Sequence, residues 1–326
     1  MQILGDSSPY SIRMIVPKII YVGNIFLIIF ILLFPRYVLD AARDGLVLWF
    51  NNVLPALLPF IVAINLLAAL GFVKLVSMWL QPFMRAVFGL PGAGGFALIT
   101  GLISGYPMGA KAIADLYRNR EITAKEAQRL LAFCNNAGPL FIIGVVGVGL
   151  LGDSTAGYVL WTGHVAAALV VGIITRGWGS SPESTRPYTV KNDMSSPSIG
   201  KVLGEAVKNA MEALLVVGGL IIFFSVVVRV LGIVLGGLPS MAGGALAGIM
   251  EITGGAKILA GDSTAITPIR IAVIGGIIAF GGFSVHAQTL HFTSGIGIKA
   301  GTYILFKALT GIIAAVITWV IWGFMR

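Results

Sequence analysis

The chain has 326 residues, 57% hydrophobic and only 11% charged, with a mean hydropathy of +0.95; soluble domains carry about 25% charged residues, so a water-soluble fold is excluded and an integral membrane protein is implied. Its 22 Lys and Arg against 13 Asp and Glu, net +9, read as basic cytoplasmic loops and give no argument for nucleic acid. Cys134 is the single cysteine, which excludes an intrachain disulfide and a cysteine-built metal cage.

Crossing about 30 Å of hydrocarbon takes about 20 helical residues. Apolar blocks recur at about 20–35, 45–71, 73–103, 139–176, 206–236, 241–261, 266–298 and 300–323. Their length, without period-two alternation, predicts helices and not a barrel. Taken in order, residues 1–42 form an N-terminal segment in which Arg13 and Lys18 precede an apolar run ending near Phe34. Pro35 and Arg36 follow instead of a small-residue cleavage site, so a retained first transmembrane helix is expected. Asn51, Asn52, Pro55 and Pro59 predict a kinked or irregular start to the next block and a clean helix over 61–70. Residues 73–90 mix Lys74, Trp79, Gln81, Pro82 and Arg85 with apolar neighbours, a pattern suited to a short span or to a helix lying at the interface.

The stretch SGYPMGAKAIA (104–114) follows, and its Gly105, Tyr106 and Pro107 interrupt what would otherwise be one membrane helix. Backbone groups freed at such a break must face protein or a wet cavity. Lys111 and Asp115 stand four apart on one helix face and can pair. Arg118, Arg120, Lys125 and Arg129, interrupted by Glu121 and Glu126, read as a cytoplasmic loop. Thr123 and Glu126 match a capping box. The helix it opens has only about 11 residues, roughly 16 Å, before Asn135. Residues 140–151 make a second half-length helix beyond Asn135, Asn136, Ala137, Gly138 and Pro139. Two short arms about an irregular tip predict a re-entrant hairpin; the alternative is a single kinked helix.

His164, alone among apolar residues, is expected to be a hydrogen-bonded structural residue. GDSTA occurs at 152 and again at 261, and turn chemistry explains both better than a serine nucleophile does. Residues 177–200 are a polar linker between two halves. In the second half MEITGGAKILA (250–260) repeats Gly-Ala-Lys 146 positions after the first, and the same offset carries 135–139 onto 281–285 in FGGFSVHAQ. Paired breaks at one spacing are the form that internal repeats take in transporters. The expected fold is therefore an all-α polytopic membrane protein of two internal repeats (43–176 and 201–326), inverted relative to each other, each with a broken helix and a re-entrant helical hairpin.

Discontinuous helices that meet near the midplane turn their amino termini, with free N–H groups and positive dipole ends, toward a shared site that favours anions. The candidate substrate-binding residues are Ser104, Tyr106, Asn135, Asn136, Thr253, Ser284, His286 and Gln288, with Lys111 and Lys257 supplying charge from quasi-equivalent places unless they snorkel to the interface. Glu251, an acid inside an apolar stretch, is the candidate coupling or gating group; pairing with a lysine is its structural alternative. His286 and His291 are five apart and share no helical metal face, so neither a metal site nor another cofactor is expected. The chain carries no HExxH, nucleophile elbow or usefully spaced pair of catalytic carboxylates, and it is not expected to be an enzyme.

SGYPMGAK, CNNAGPLFIIG, GIMEITGGAK and GGFSVHAQ, in this order, resemble a group of sporulation integral membrane proteins that bear a nucleoside-recognition (Gate) domain, over about residues 43–323. The resemblance implies a polytopic protein of endospore-forming bacteria, distantly similar to concentrative nucleoside transporters. It also implies transport of dipicolinic acid, a small aromatic dicarboxylate, across the outer forespore membrane. Expected partners are then this anionic substrate and the lipid bilayer, without nucleic acid, and a homo-oligomer is compatible with the sequence. Two other readings stand beside it: a nucleoside or nucleobase transporter of the same fold, which would not need the lysines, and a non-transporting membrane scaffold, which has little reason to keep polar breaks at membrane depth.

Overall fold

A computed structural model describes residues 10–178, 199–234, 236, 240–261 and 266–325, and all regular structure among them is helical. The linker of 177–200 and the second GDSTA copy lie almost entirely outside the described residues. Four segments are long and apolar enough to cross a bilayer: Ser154–Ile174, Ile199–Val234, Pro268–Phe292 and Ala300–Met325. Two bent pairs raise the number to six if each is one span, so the chain is a multi-pass integral membrane protein.

The first bent pair joins α1 (Tyr10–Leu33) to α2 (Pro35–Leu48) at 106°, with Pro35 opening the second helix. The irregularity expected near Asn51 is a π-helical turn, Trp49–Val53, before α3 (Leu54–Ala69). Here Pro55 sits in the first helical turn, where its missing N–H costs nothing. Gly71, at φ +82°, then turns the chain by 84° into α4 (Phe72–Phe83). Leu75, Met78 and Trp79 are exposed on α4, whereas Val76 and Ser77 are buried. That two-faced helix, lying across the direction of α3, fits the expected interfacial segment.

Next come two short helices, α5 (Ala93–Ser104) and α6 (Met108–Arg118), which pack along each other about a tip at 105–107. Helix α7 (Ala124–Cys134) opens on the predicted capping box: Glu126 N–H donates to Thr123 Oγ1 at 3.3 Å and Thr123 N–H to Glu126 Oε2 at 2.7 Å. After the 135–139 interruption a π-helical segment, Leu140–Leu150, leads into α8 (Ser154–Ile174), whose cap is Asp153 of the first GDSTA: its carboxylate accepts from Thr155 N–H at 2.8 Å and Ala156 N–H at 3.1 Å. The 36-residue α9 (Ile199–Val234) packs against α2 and α3. Then α10 (Ser240–Met250) and α11 (Ile252–Ala260) pack along each other about Glu251. Helix α12 (Pro268–Phe280) runs through Gly281 into α13 (Gly282–Phe292) as one 25-residue span, and α14 (Ala300–Met325) closes the chain against α12 and α8.

This arrangement corrects the expected roles of the breaks. The hairpins form at SGYPMGAK and MEITGGAK, and the interruptions at 135–139 and 281–282 lie within segments that do not fold back on themselves. Helix α7 packs against α5, α6, α8 and α14, while Leu140–Leu150 packs against α8 and α11. Side-chain size explains the exchange. Hairpin arms in lipid close through small residues, and Gly101 with Gly109, and Gly248 with Gly255, bring backbones together there, with Ala110 and Ala256 fully buried beside them. The arms around 135–139 carry Leu131, Phe133, Phe141 and Ile142 instead, and these bulky groups are accommodated by other helices.

Arg129 requires a second correction. Its charge groups it with a cytoplasmic loop, yet it lies in α7 and is 2% exposed. The guanidinium donates to the carbonyls of Thr175 at 3.1 Å, Gly89 at 3.2 Å and Phe88. These are the last carbonyls of α8 and of the turn ending the α4 region, acceptors that a helix terminus leaves open. The positive charge is therefore spent on two helix carboxyl ends.

Candidate functional site

The two hairpin tips and the two interruptions converge on one cavity of about 210 Å³. Ser104, Gly105 and Tyr106 line it from the first tip, Ala137 to Phe141 from the first interruption, Glu251 to Thr253 from the second tip, and Ser284, Val285 and Gln288 from α13. Leu57 and Phe60 of α3 and Val217 and Ile221 of α9 close the opposite side with apolar surface. The Leu140–Leu150 segment and α11 both begin at this cavity, so two helix amino termini converge there, an arrangement that favours negative charge. At one of them the negative charge is already supplied by the chain. The Glu251 carboxylate, 6% exposed, accepts from Thr253 N–H at 2.9 Å and Gly254 N–H at 2.7 Å. Glu251 thus caps its own helix and enters none of the ion pairs among the described residues.

Of the residues singled out from sequence, Ser104, Tyr106, Thr253, Ser284, Gln288 and Glu251 meet at the cavity. Asn135 and Asn136 do not line it. Both are fully buried behind it: Asn135 Nδ2 donates to Thr289 Oγ1 at 2.7 Å and Tyr303 OH at 3.2 Å, and Asn136 Nδ2 to the Phe133 carbonyl at 2.7 Å. His286 belongs to the same buried network, with Nδ1 3.2 Å from Tyr303 OH and its ring edge-on to Phe280. The two lysines do not meet at all. Lys111 pairs with Asp115 at 2.8 Å in a separate polar crevice, and Lys257 is exposed on α11. Their shared motif has a packing origin: the glycine of Gly-Ala-Lys faces neighbouring backbone and the alanine is buried, so the next residue, about 100° further round the helix, turns away.

The backbone groups freed at the interruptions find protein partners, as the lipid environment requires. Ala137 N–H donates to His164 Nε2 at 3.1 Å, which gives His164 the structural role expected of it. Tyr106 OH donates toward the carbonyls of Ile278 at 3.2 Å and Ala279 at 3.3 Å, tying the first tip to the end of α12. The Asn135 carbonyl accepts from Lys307 Nζ at 2.9 Å. Lys307 is fully buried and belongs to none of the sequence motifs. A lone ionisable residue in the 300–323 apolar run was the available signal, because such residues are functional candidates by default.

The crevice holding Lys111 is about 150 Å³ and is also lined by Asn65, Thr100, Asn119 and Glu121. Glu121, in the turn between α6 and α7, is pushed up to about 7 by burial, against an opposing hydrogen bond from Asn119. A carboxyl raised in the folded state favours folding most when protonated. Its contribution is complete below about 4.5 and is lost as pH rises through about 7. The thermal midpoint of the purified protein is thus expected to fall between pH 5 and pH 8, and Glu121→Gln to flatten that slope. Half-burial keeps the effect modest. An unchanged slope in the variant would sink the assignment.

An all-helical multi-pass membrane protein, with two hairpin tips and two interrupted helices around a central cavity, is the class that these features define. The family model described as nucleoside recognition (Gate) matches residues 50–154, which include the first tip and the first interruption. The chain belongs to the family of the sporulation integral membrane protein YlbJ of Bacillus subtilis (strain 168), to which it is 35% identical over 320 residues, covering 88% of this chain and 78% of the relative. No solved structure matches the chain.

Proposed function

We propose that this protein is a secondary transporter that moves a small organic anion, dipicolinate, across the outer forespore membrane, with two inverted repeats around a single central site. The observation that carries the reading is the convergence of both tips and both interruptions on one cavity. A repeated element order supports it: packed hairpin, interrupted segment and long helix occur as α5 to α8 and again as α10 to α14. Cys134 and Phe280 end the first arms of the interrupted segments, and Ser154 and Ala300 open the long helices, both pairs 146 apart like the two Gly-Ala-Lys motifs. Converging helix amino termini favour a carboxylate over a cation. The relative's description as a sporulation protein favours a sporulation cargo. The mechanism needs no catalytic residue, cofactor or nucleic acid.

Uptake of radiolabelled dipicolinate into proteoliposomes tests the reading. Ser284→Ala and Gln288→Ala are expected to slow uptake several-fold, because both side chains line the cavity. Lys111→Ala and Lys257→Ala are expected to leave it within about twofold, since paired or exposed surface charges contribute little. Absence of dipicolinate uptake by the wild type would refute the proposal. Uptake of uridine in its place would favour the nucleoside reading, for which the nucleoside-recognition match over 50–154 is the supporting observation.

A further inference from the structure

Behind the cavity wall lies a buried amine with no acidic partner among the described residues. Lys307 enters α14 at full burial, and no ion pair among the described residues includes it. Its neighbours are neutral or dipolar: the Asn135 carbonyl at 2.9 Å and the face of the Tyr106 ring, with Nζ 5.2 Å from the centroid. A buried ammonium without a carboxylate is costly, and membrane proteins retain such groups where they act on a solute or an ion.

What separates this charge from the cavity is Tyr106. The ring lines the cavity and also lies beneath Lys307 Nζ, so one aromatic side chain contacts both compartments. Its hydroxyl bonds are long. The hydroxyl reaches the Ile278 and Ala279 carbonyls only at 3.2 and 3.3 Å, long for an O–H donor, and Gly105 before it has φ +82°. On the same tip the Ser104 hydroxyl is buried at 4% exposure with no hydrogen-bond partner, a donor left over beside the cavity.

We infer that Lys307 is the fixed cation of the site, screened by the Tyr106 ring, and that it pairs with a carboxylate of the bound anion when the tip carrying Ser104 and Tyr106 shifts. Lys307 then exchanges a backbone carbonyl for a carboxylate, and the Ser104 hydroxyl gains an acceptor. This assignment rests on the anion-transport reading and supplies the charge that Lys111 and Lys257 do not.

The test uses the full chain in nanodiscs, with dipicolinate as the carboxylate probe and uridine as a neutral one. Lys307→Gln keeps a donor for the Asn135 carbonyl but removes the charge. It is expected to weaken dipicolinate binding roughly tenfold to a hundredfold, the range for losing a charged hydrogen bond, with uridine unaffected. Equal dipicolinate affinity in a folded Lys307→Gln protein would overturn the assignment alone, whereas a wild type that binds no dicarboxylate would overturn the transport reading and the assignment with it. Should that variant not fold, amine labelling with peptide mapping at Lys307 decides. Tyr106→Leu is expected to open Lys307 to the reagent and dipicolinate to shield it again, and a Lys307 that stays unlabelled, or is labelled equally with ligand present, would overturn the assignment.

Discussion

Gly109→Ala and Gly255→Ala are each expected to lower the thermal midpoint by several degrees or to prevent accumulation in the membrane. A methyl group at Gly109 would overlap the Cys134 carbonyl oxygen and lie 3.0 Å from Asn135 Cα; at Gly255 it would overlap Gly248 and lie 2.9 Å from the Gly244 carbonyl oxygen. All of these atoms are backbone, which cannot rotate away as a side chain can, so the helices themselves must separate. Overpacking in well-filled cores typically costs about 1–3 kcal/mol, and immovable neighbours place these sites at the upper end. The comparison that decides is Gly219→Ala on the exposed side of α9, where nothing lies within 4 Å of the added carbon. There alanine is expected to be neutral or stabilising by up to about 1 kcal/mol, since helix interiors prefer it to glycine. Equal behaviour of all three variants would show that neither the seat of Cys134 on α6 nor the closure of the α10–α11 hairpin is as described.

Replacing Arg129 with methionine is expected to cost roughly 2–5 kcal/mol, since each buried carbonyl left without a donor costs about 1–3 kcal/mol. The side chain fills a similar volume, but the carbonyls of Phe88 and Gly89 lose the guanidinium donor, and that of Thr175 keeps only the Trp178 N–H at 3.1 Å. Lysine at 129 should recover only part of the loss, because a single ammonium cannot reproduce three contacts made by one planar fork. Unfolding in a denaturant series, wild type against the two variants, measures it. A methionine variant as stable as the wild type would mean that these carbonyls have other partners. The contact matters for architecture because it ties α7, on which the first interruption depends, to the ends of α4 and α8.

Much of the local structure was legible in the residues. The capping box of Thr123 and Glu126, the irregularity near Asn51, the interfacial character of α4 and the breaks at 105–107 and 135–139 follow from short-range rules and occur where those rules put them, whereas the breaks expected at Gly254 and at 283–285 are helical. Pairing of the arms was not legible. From length alone, residues 124–134 and 140–150 look like one hairpin, and nothing within either arm announces that its bulky face is taken by other helices. Gly-Ala-Lys was read for its charge, yet its glycine and alanine set the packing and its lysine is peripheral. No local motif marks Lys307, whose contact with the Asn135 carbonyl spans 172 positions.

By itself the sequence determined that the chain lives in a bilayer and where its helices must stop, because hydrophobic length, proline's missing N–H and glycine's backbone freedom act over a few residues. Only the tertiary structure decided which fragments close on each other and which polar groups reach the cavity. That choice depends on whether two surfaces, often more than a hundred positions apart, are small enough to touch: Gly101 and Gly109 admit the Cys134 carbonyl, and Tyr106 reaches the carbonyls of Ile278 and Ala279.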